Sequence, residues 1–136
     1  MKRKAVIYVM LVLLFSCSKG DDNSSQPSSL LGRIEKVCSK ANTSSIKEKI
    51  LTYLNEESST QEYQYVLKGE YNGNAVFVFG NCCPFCNTVT QVFDCSGNLL
   101  GYVDYSNSGK ENAINDNKIT NKENLWPKTP NCNFKD

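Results

Sequence analysis

Histidine is absent from all 136 residues. Its absence rules out a Ser-His-Asp triad, an imidazole general base and any histidine metal ligand. A membrane-spanning run is also missing at the N-terminus. Ala5 to Leu14 is apolar except for Tyr8, but ten residues fall short of the about 20 that a helix needs to cross a bilayer. There is no second Cys-x-x-Cys beside Cys83–Cys86 and no internal repeat. Tryptophan occurs once and methionine twice.

What stands at the N-terminus is ordered. Lys2, Arg3 and Lys4 precede the apolar run, the layout of a secretory signal peptide. The run ends in Leu14-Phe15-Ser16-Cys17. This resembles the lipobox of bacterial lipoproteins, with Leu three positions before the cysteine and a small residue just before it. The resemblance implies a signal peptide over 1–16, cleavage before Cys17, and acyl chains on its sulfur and new amino group. Several chains anchor a protein far more firmly than one. The competing reading is an ordinary signal peptide with an incidental cysteine. Residues 18–29, SKGDDNSSQPSS, hold no apolar side chain and read with Cys17 as a lipidated, flexible tether over 17–29, about 20 Å from end to end. The pair Asp21-Asp22 resembles the export signal of surface lipoproteins in Bacteroidota. Loss of residues 1–16 takes three positive charges and moves the formal charge from +1 to −2. No basic patch survives, so nucleic acid is not an expected partner.

Residues 30–136 are enough for one small core. Leu30, Ile34, Val37 and Cys38 recur at helical spacing, with Ser29 as a candidate N-cap. Ser45 and Glu48 read as a capping box, followed by Ile46, Ile50, Tyr53 and Leu54 on one face. The spacing predicts two short helices, or one kinked near Asn42. From Glu62 the period becomes two: Tyr63, Tyr65, Leu67 and Tyr71 alternate with polar residues. Asn72-Gly73 is a hairpin signal. Further strands are expected over 75–79, 87–94 and 99–105, with CSGN as a turn. The fold expected is therefore α+β: helix first, then a four-stranded antiparallel meander covered on one face. Residues 106–136 read as a polar Asn/Lys-rich tail, held back by Trp126 and a Cys132 disulfide.

Six cysteines remain after Cys17: Cys38, Cys82, Cys83, Cys86, Cys95 and Cys132. An even number in a small exported domain marks a disulfide framework, and six cysteines allow 15 pairings. Adjacent Cys82 and Cys83 face opposite ways in extended chain and so should take different partners. One set consistent with the layout sends Cys38 and Cys132 to the 82–86 cluster, with Cys95 in the third bridge. Each bridge is expected to contribute about 2–4 kcal/mol.

Two other chemistries compete for the cluster. AVFVFGNCCPFC, residues 75–86, resembles the strand and Cys-Pro-aromatic-Cys of glutaredoxins. That resemblance implies a nucleophilic Cys83 and a resolving Cys86, with the thiolate stabilised by a following helix. The residues that follow, NTVTQVFDCSGN, are instead strand and turn formers. The Cys83/Cys86 spacing also suits zinc, but the sequence offers no second ligand pair. A broader resemblance covers residues 30–130. YVLKGEYNGNAVFVFGNCC and VFDCSGNLLGYV are similar to segments of small Bacteroidota lipoproteins. It implies fold and outer-membrane location, on the cell-surface or periplasmic face, and carries no activity. The inserted PFC after Cys83 is a departure from that pattern.

Tyr63, Tyr65, Tyr71, Tyr102 and Tyr105 are candidates for an aromatic face toward a glycan or peptide, against the simpler reading of half-buried strand residues. Glu62, Glu70, Asp94 and Asp104 are candidate acid/base carboxylates, against solvated turn residues. The charges of RIEK and KEK read as a solvated helix face. The sequence thus leads to a lipid-anchored, non-catalytic binding or inhibitory module without cofactor or metal. Its partners would be the membrane and a protein or glycan ligand. The alternative is a thiol-disulfide oxidoreductase using Cys83 and Cys86.

Overall fold

The computed structural model describes residues 27–38, 41–56, 59–106, 108–127 and 131–132. Cys17, the expected signal peptide and the expected tether up to residue 26 lie outside them. The fold is α+β. Helices α1 (Pro27–Val37) and α2 (Ser44–Asn55) precede strands β1 (Gln64–Tyr71), β2 (Asn74–Asn81), β3 (Gln91–Asp94), β4 (Leu99–Asp104), β5 (Ala113–Asn115) and β6 (Thr120–Trp126).

Two helices form, as the spacing predicts, but their starts differ from the expected ones. α1 already begins at Pro27, so Ser29 lies inside it and the last residues assigned to the tether are helical. The N-cap of α2 is Thr43, whose side chain makes no capping bond. Asn42 takes that role, its Oδ1 accepting from the Ser44 N–H at 3.1 Å. Ser45 and Glu48 therefore form no capping box. Ser45 instead sits against the β3–β4 turn, where a Cβ on Gly97 would come within 2.6 Å of its Oγ. Gly97 also has φ +82°, so the turn requires glycine on two counts.

The β1–β2 hairpin turns at Asn72 (φ 51°) and Gly73 (φ 76°), both in the left-handed region that a two-residue type I′ loop needs. β3 is shorter than the expected 87–94, starting at Gln91. After it, the Asp94 carboxylate accepts from the N–H groups of Ser96 and Asn98, both at 2.8 Å, and from the Asn98 side chain. That one carboxylate satisfies the turn.

The expected four-stranded antiparallel meander is β1 to β4, but the sheet has six strands and is mixed, in the order β5-β4-β3-β2-β1-β6. β5 pairs parallel to β4 and β6 antiparallel to β1. Both come from the segment read as a polar tail. A strand at the edge of a sheet needs only one buried side chain in several, so its composition stays polar.

β5 and β6 stand at opposite edges, yet only residues 116–119 join them. Five strand spacings would separate those edges by about 24 Å in a flat sheet. Five Cα steps reach about 17 Å even when fully extended, and three of these residues are wound into a 3-10 turn, Asp116–Lys118. The sheet must curl. Its concave face holds Tyr65, Leu67, Val76, Val78 and Val92, closed over by Ile114, Ile119 and Cys132. Its convex face holds Val66, Phe77, Phe79, Phe93 and Leu125, packed against Leu30, Ile34, Ile46 and Ile50 of the helices.

Candidate functional site

Three disulfides join the six cysteines: Cys38–Cys95, Cys82–Cys132 and Cys83–Cys86. Cys82 and Cys83 do take different partners, and Cys132 does reach the cluster. Cys38 does not. The reason is the direction of α1. Its C-terminal end lies beside the β3–β4 turn, which places Cys38 against Cys95 rather than against the far end of β2. Two of the bridges staple distant parts of the chain, across sequence separations of 57 and 50 residues. The third closes only its own turn, with a separation of 3.

The loop carrying that turn is built on Asn81, the last residue of β2. Its side-chain amide donates to the Thr60 carbonyl and hydroxyl at 3.2 and 3.0 Å. Its Oδ1 accepts from the Cys83 N–H at 2.9 Å, and its carbonyl accepts from the Thr88 hydroxyl at 2.9 Å. Asn81 so holds both ends of the loop. Within it, the Cys86 N–H donates to the Cys83 carbonyl at 3.3 Å, leaving Pro84 and Phe85 at the tip. Phe85 is 97% exposed. No helix follows the motif: residues 86–90 have no regular structure and 91–94 are strand. A thiolate at Cys83 would therefore lack the helix N-terminus that stabilises it in glutaredoxin geometry. Cys83 and Cys86 are bonded to each other, and among the described residues no three Cys, Asp or Glu side chains gather as a metal site.

The tyrosines do not share a face. Tyr65 and Tyr71 belong to the concave core, while Tyr102 is paired with Gln91 and partly exposed. Tyr65 fills space that only a glycine leaves it, since a Cβ on Gly80 would lie 2.3 Å from its ring. Burial drives its phenol well above the ordinary tyrosine range, and the neighbouring Tyr105 adds to the shift. On the other face, Tyr53 of α2 donates to the Gly80 carbonyl at 2.6 Å. Burial, with the charge of Glu56 adding to it, pushes its phenol up to about 12.

The four carboxylates do not converge either. Burial raises Asp94, but the hydrogen bonds from Asn98, Ser96 and Gly97 together outweigh it and hold the carboxyl below its ordinary value. Asp104 is held far lower by Ser106 and Ser108, whose hydroxyl and N–H groups donate to it. Both are turn-building anions, the opposite of what a general acid requires. Glu62 is exposed at the centre of the 3-10 turn Gln61–Tyr63.

Glu70 lies in a cleft that the sequence did not disclose. Arg33, Lys36, Lys68, Glu70, Asn121 and Glu123 line an open recess of about 610 Å³ between α1 and the β1–β6 edge. Arg33 donates to the carbonyls of Leu125 and Asn124 at 2.8 and 3.1 Å and so ties α1 to β6. The hydrogen bond from Lys68 holds Glu123 below its ordinary value against a burial effect of opposite sign, with Arg33 adding its charge. Arg33 had read as part of a solvated helix face. Nothing in RIEK itself marks it, because its partners are backbone carbonyls 91 and 92 residues away. No protein-family model, curated protein or solved structure matches this chain.

Proposed function

We propose that the chain is an exported lipoprotein, held through acylated Cys17 to the outer membrane on its periplasmic or surface face. Its α+β domain would act as a non-catalytic module that binds or inhibits a protein or glycan ligand. The observation that carries this reading is the disulfide framework. All six cysteines after Cys17 are paired, two of the bridges across more than forty residues, which favours folding in an oxidising, exported compartment. The cleft beside α1 supplies the recognition surface. It offers fixed donors and acceptors of both charge signs, chemistry suited to a polar, extended ligand such as a peptide or glycan.

The test has two arms. The Cys17→Ser protein should leave the detergent phase, and its continued partition with membranes would end the lipoprotein reading. A panel of peptides and glycans should yield a ligand whose binding is lost in the Lys36→Glu/Glu70→Lys variant at unchanged melting temperature. Binding that ignores those changes would remove the cleft from the proposal.

One observation favours a second reading, thiol-disulfide oxidoreductase activity at Cys83 and Cys86. Their bridge staples no distant elements and sits on an exposed loop. Insulin reduction by the parent protein, lost in Cys83→Ser with the fold intact, would establish it in place of the binding role.

A further inference from the structure

The sheet has two distinct ends. The Asn72–Gly73 turn, the Ser96–Asn98 turn and the Cys38–Cys95 bridge mark one. At the other, β2 runs out into the cysteine loop and β4 ends beside Tyr105. The direction of α1 decides which end receives the preceding chain. Arg33 is level with Asn124 and Leu125, and Asn124 pairs with Leu67 near the middle of β1. Lys36, Val37 and Cys38 lie beside Glu70, Ala75 and Cys95 at the turn end. Going backward from Arg33 therefore leads toward the cysteine end, and Pro27 starts about 9 Å further that way at 1.5 Å per residue.

The apolar surface is distributed along the same axis. Among the described residues, the three most exposed large apolar side chains are Phe85 at 97%, Tyr105 at 69% and Val89 at 64%. All three belong to the cysteine end. Phe85 is held on a turn cross-linked at its base, and Val89 follows on the same loop. Tyr105 sits one residue beyond β4, beside Tyr65.

We infer that this rim is a second membrane contact, which lays the cysteine end of the domain on the bilayer surface. The inference rests on the anchoring reading above. Residues 18–26, between Cys17 and Pro27, number nine, so whatever their conformation Pro27 lies at most about 35 Å from the acylated cysteine. The end that carries the rim is thus the end kept near the lipid. Three side chains are too little to recruit a protein from solution. A short tether turns the contact into an intramolecular one, at an effective concentration on the order of millimolar. Aromatic side chains are suited to the headgroup boundary, where an apolar ring and a polar tip are both satisfied. In this orientation the cleft lined by Lys36, Glu70 and Asn121, at the turn end, faces away from the membrane.

The test uses the acylated full chain in phosphatidylethanolamine/phosphatidylglycerol vesicles whose acyl chains are brominated. Two probes are compared in a Trp126→Phe background, Phe85→Trp at the cysteine end and Leu100→Trp at the turn end. Quenching at position 85 at least threefold stronger than at position 100 is expected, and Cys17→Ser should abolish vesicle attachment. If the anchor holds and the two probes are quenched equally, the membrane contact is overturned and the anchoring reading stands. If Cys17→Ser remains attached, the anchoring reading falls and this inference with it. A position-85 probe that bare vesicles leave unquenched, but that native membranes shield, would assign the rim to a protein partner instead and likewise overturn the contact.

Discussion

On the convex face, the rings of Phe77, Phe79 and Phe93 meet two amphipathic helices; on the concave face, Val76, Val78 and Val92 meet two isoleucines and a cystine. Each face has its own staple. Cys38–Cys95 ties α1 to the convex side, and Cys82–Cys132 ties the end of the chain to the concave one. A layer built from regular elements covers its core with many side chains. A layer built from a crossing segment has to do so with very few, so each one matters more.

The largest loss is expected on the convex side. Phe77 is fully buried, and Phe77→Ala should cost about 5 kcal/mol, the upper end for such a truncation. Chemical denaturation would measure it. A loss under about 2 kcal/mol would mean the helical layer collapses into the gap. Removing either staple by paired serine substitution should cost about 4 kcal/mol, given the length of the loops they close. If the two faces are independent, the two losses add. Sub-additivity would show that the sheet transmits strain between them. On the concave side, Ile119→Ala should cost about 3 kcal/mol, large for a residue flanked by polar sequence. A cost below about 1 kcal/mol would make the crossing segment a loose flap rather than a lid.

Removing the short bridge with Cys83→Ser/Cys86→Ser should cost only about 1.5 kcal/mol, because so small a loop adds little entropy to the unfolded chain. A melting temperature as low as that of the long-staple variants would give the turn a structural role it lacks here. The smallest effect is alkaline. The folded Tyr53 binds its proton more tightly than the unfolded one, so its contribution is complete below about pH 10 and is lost as pH rises toward about 12. Tyr53→Phe should flatten that part of the stability curve, leaving the share of Tyr65 on the concave face, which extends to higher pH. An unchanged curve would assign the alkaline loss to Tyr65 alone.

The convex layer was legible in the sequence because its elements keep one period throughout. Ile46, Ile50, Tyr53 and Leu54 announce α2, and Asn72-Gly73 fixes the register of β1 on β2. The concave closure was not. Its inward residues, Ile114, Ile119 and Cys132, are five and thirteen positions apart, and a 3-10 turn and two register shifts along this segment break any repeat. Cysteine number announced a disulfide framework, but the pairing depended on which way α1 runs, a fact set by packing over distance. For the same reason the cleft was hidden. Arg33 looks like any surface arginine until β6 arrives beside it.

β6 has a consequence of its own. It ends the sheet on one side, and among the described residues no strand pairs with its outer edge. Its exposed stretch is Thr120-Asn121-Lys122-Glu123, with charge where a flat apolar edge would invite another copy to add a strand. β5, at the opposite edge, offers only three residues. The polar composition that disguised these strands as a tail thus protects the protein from edge-to-edge polymerisation, and crowding should leave it monodisperse.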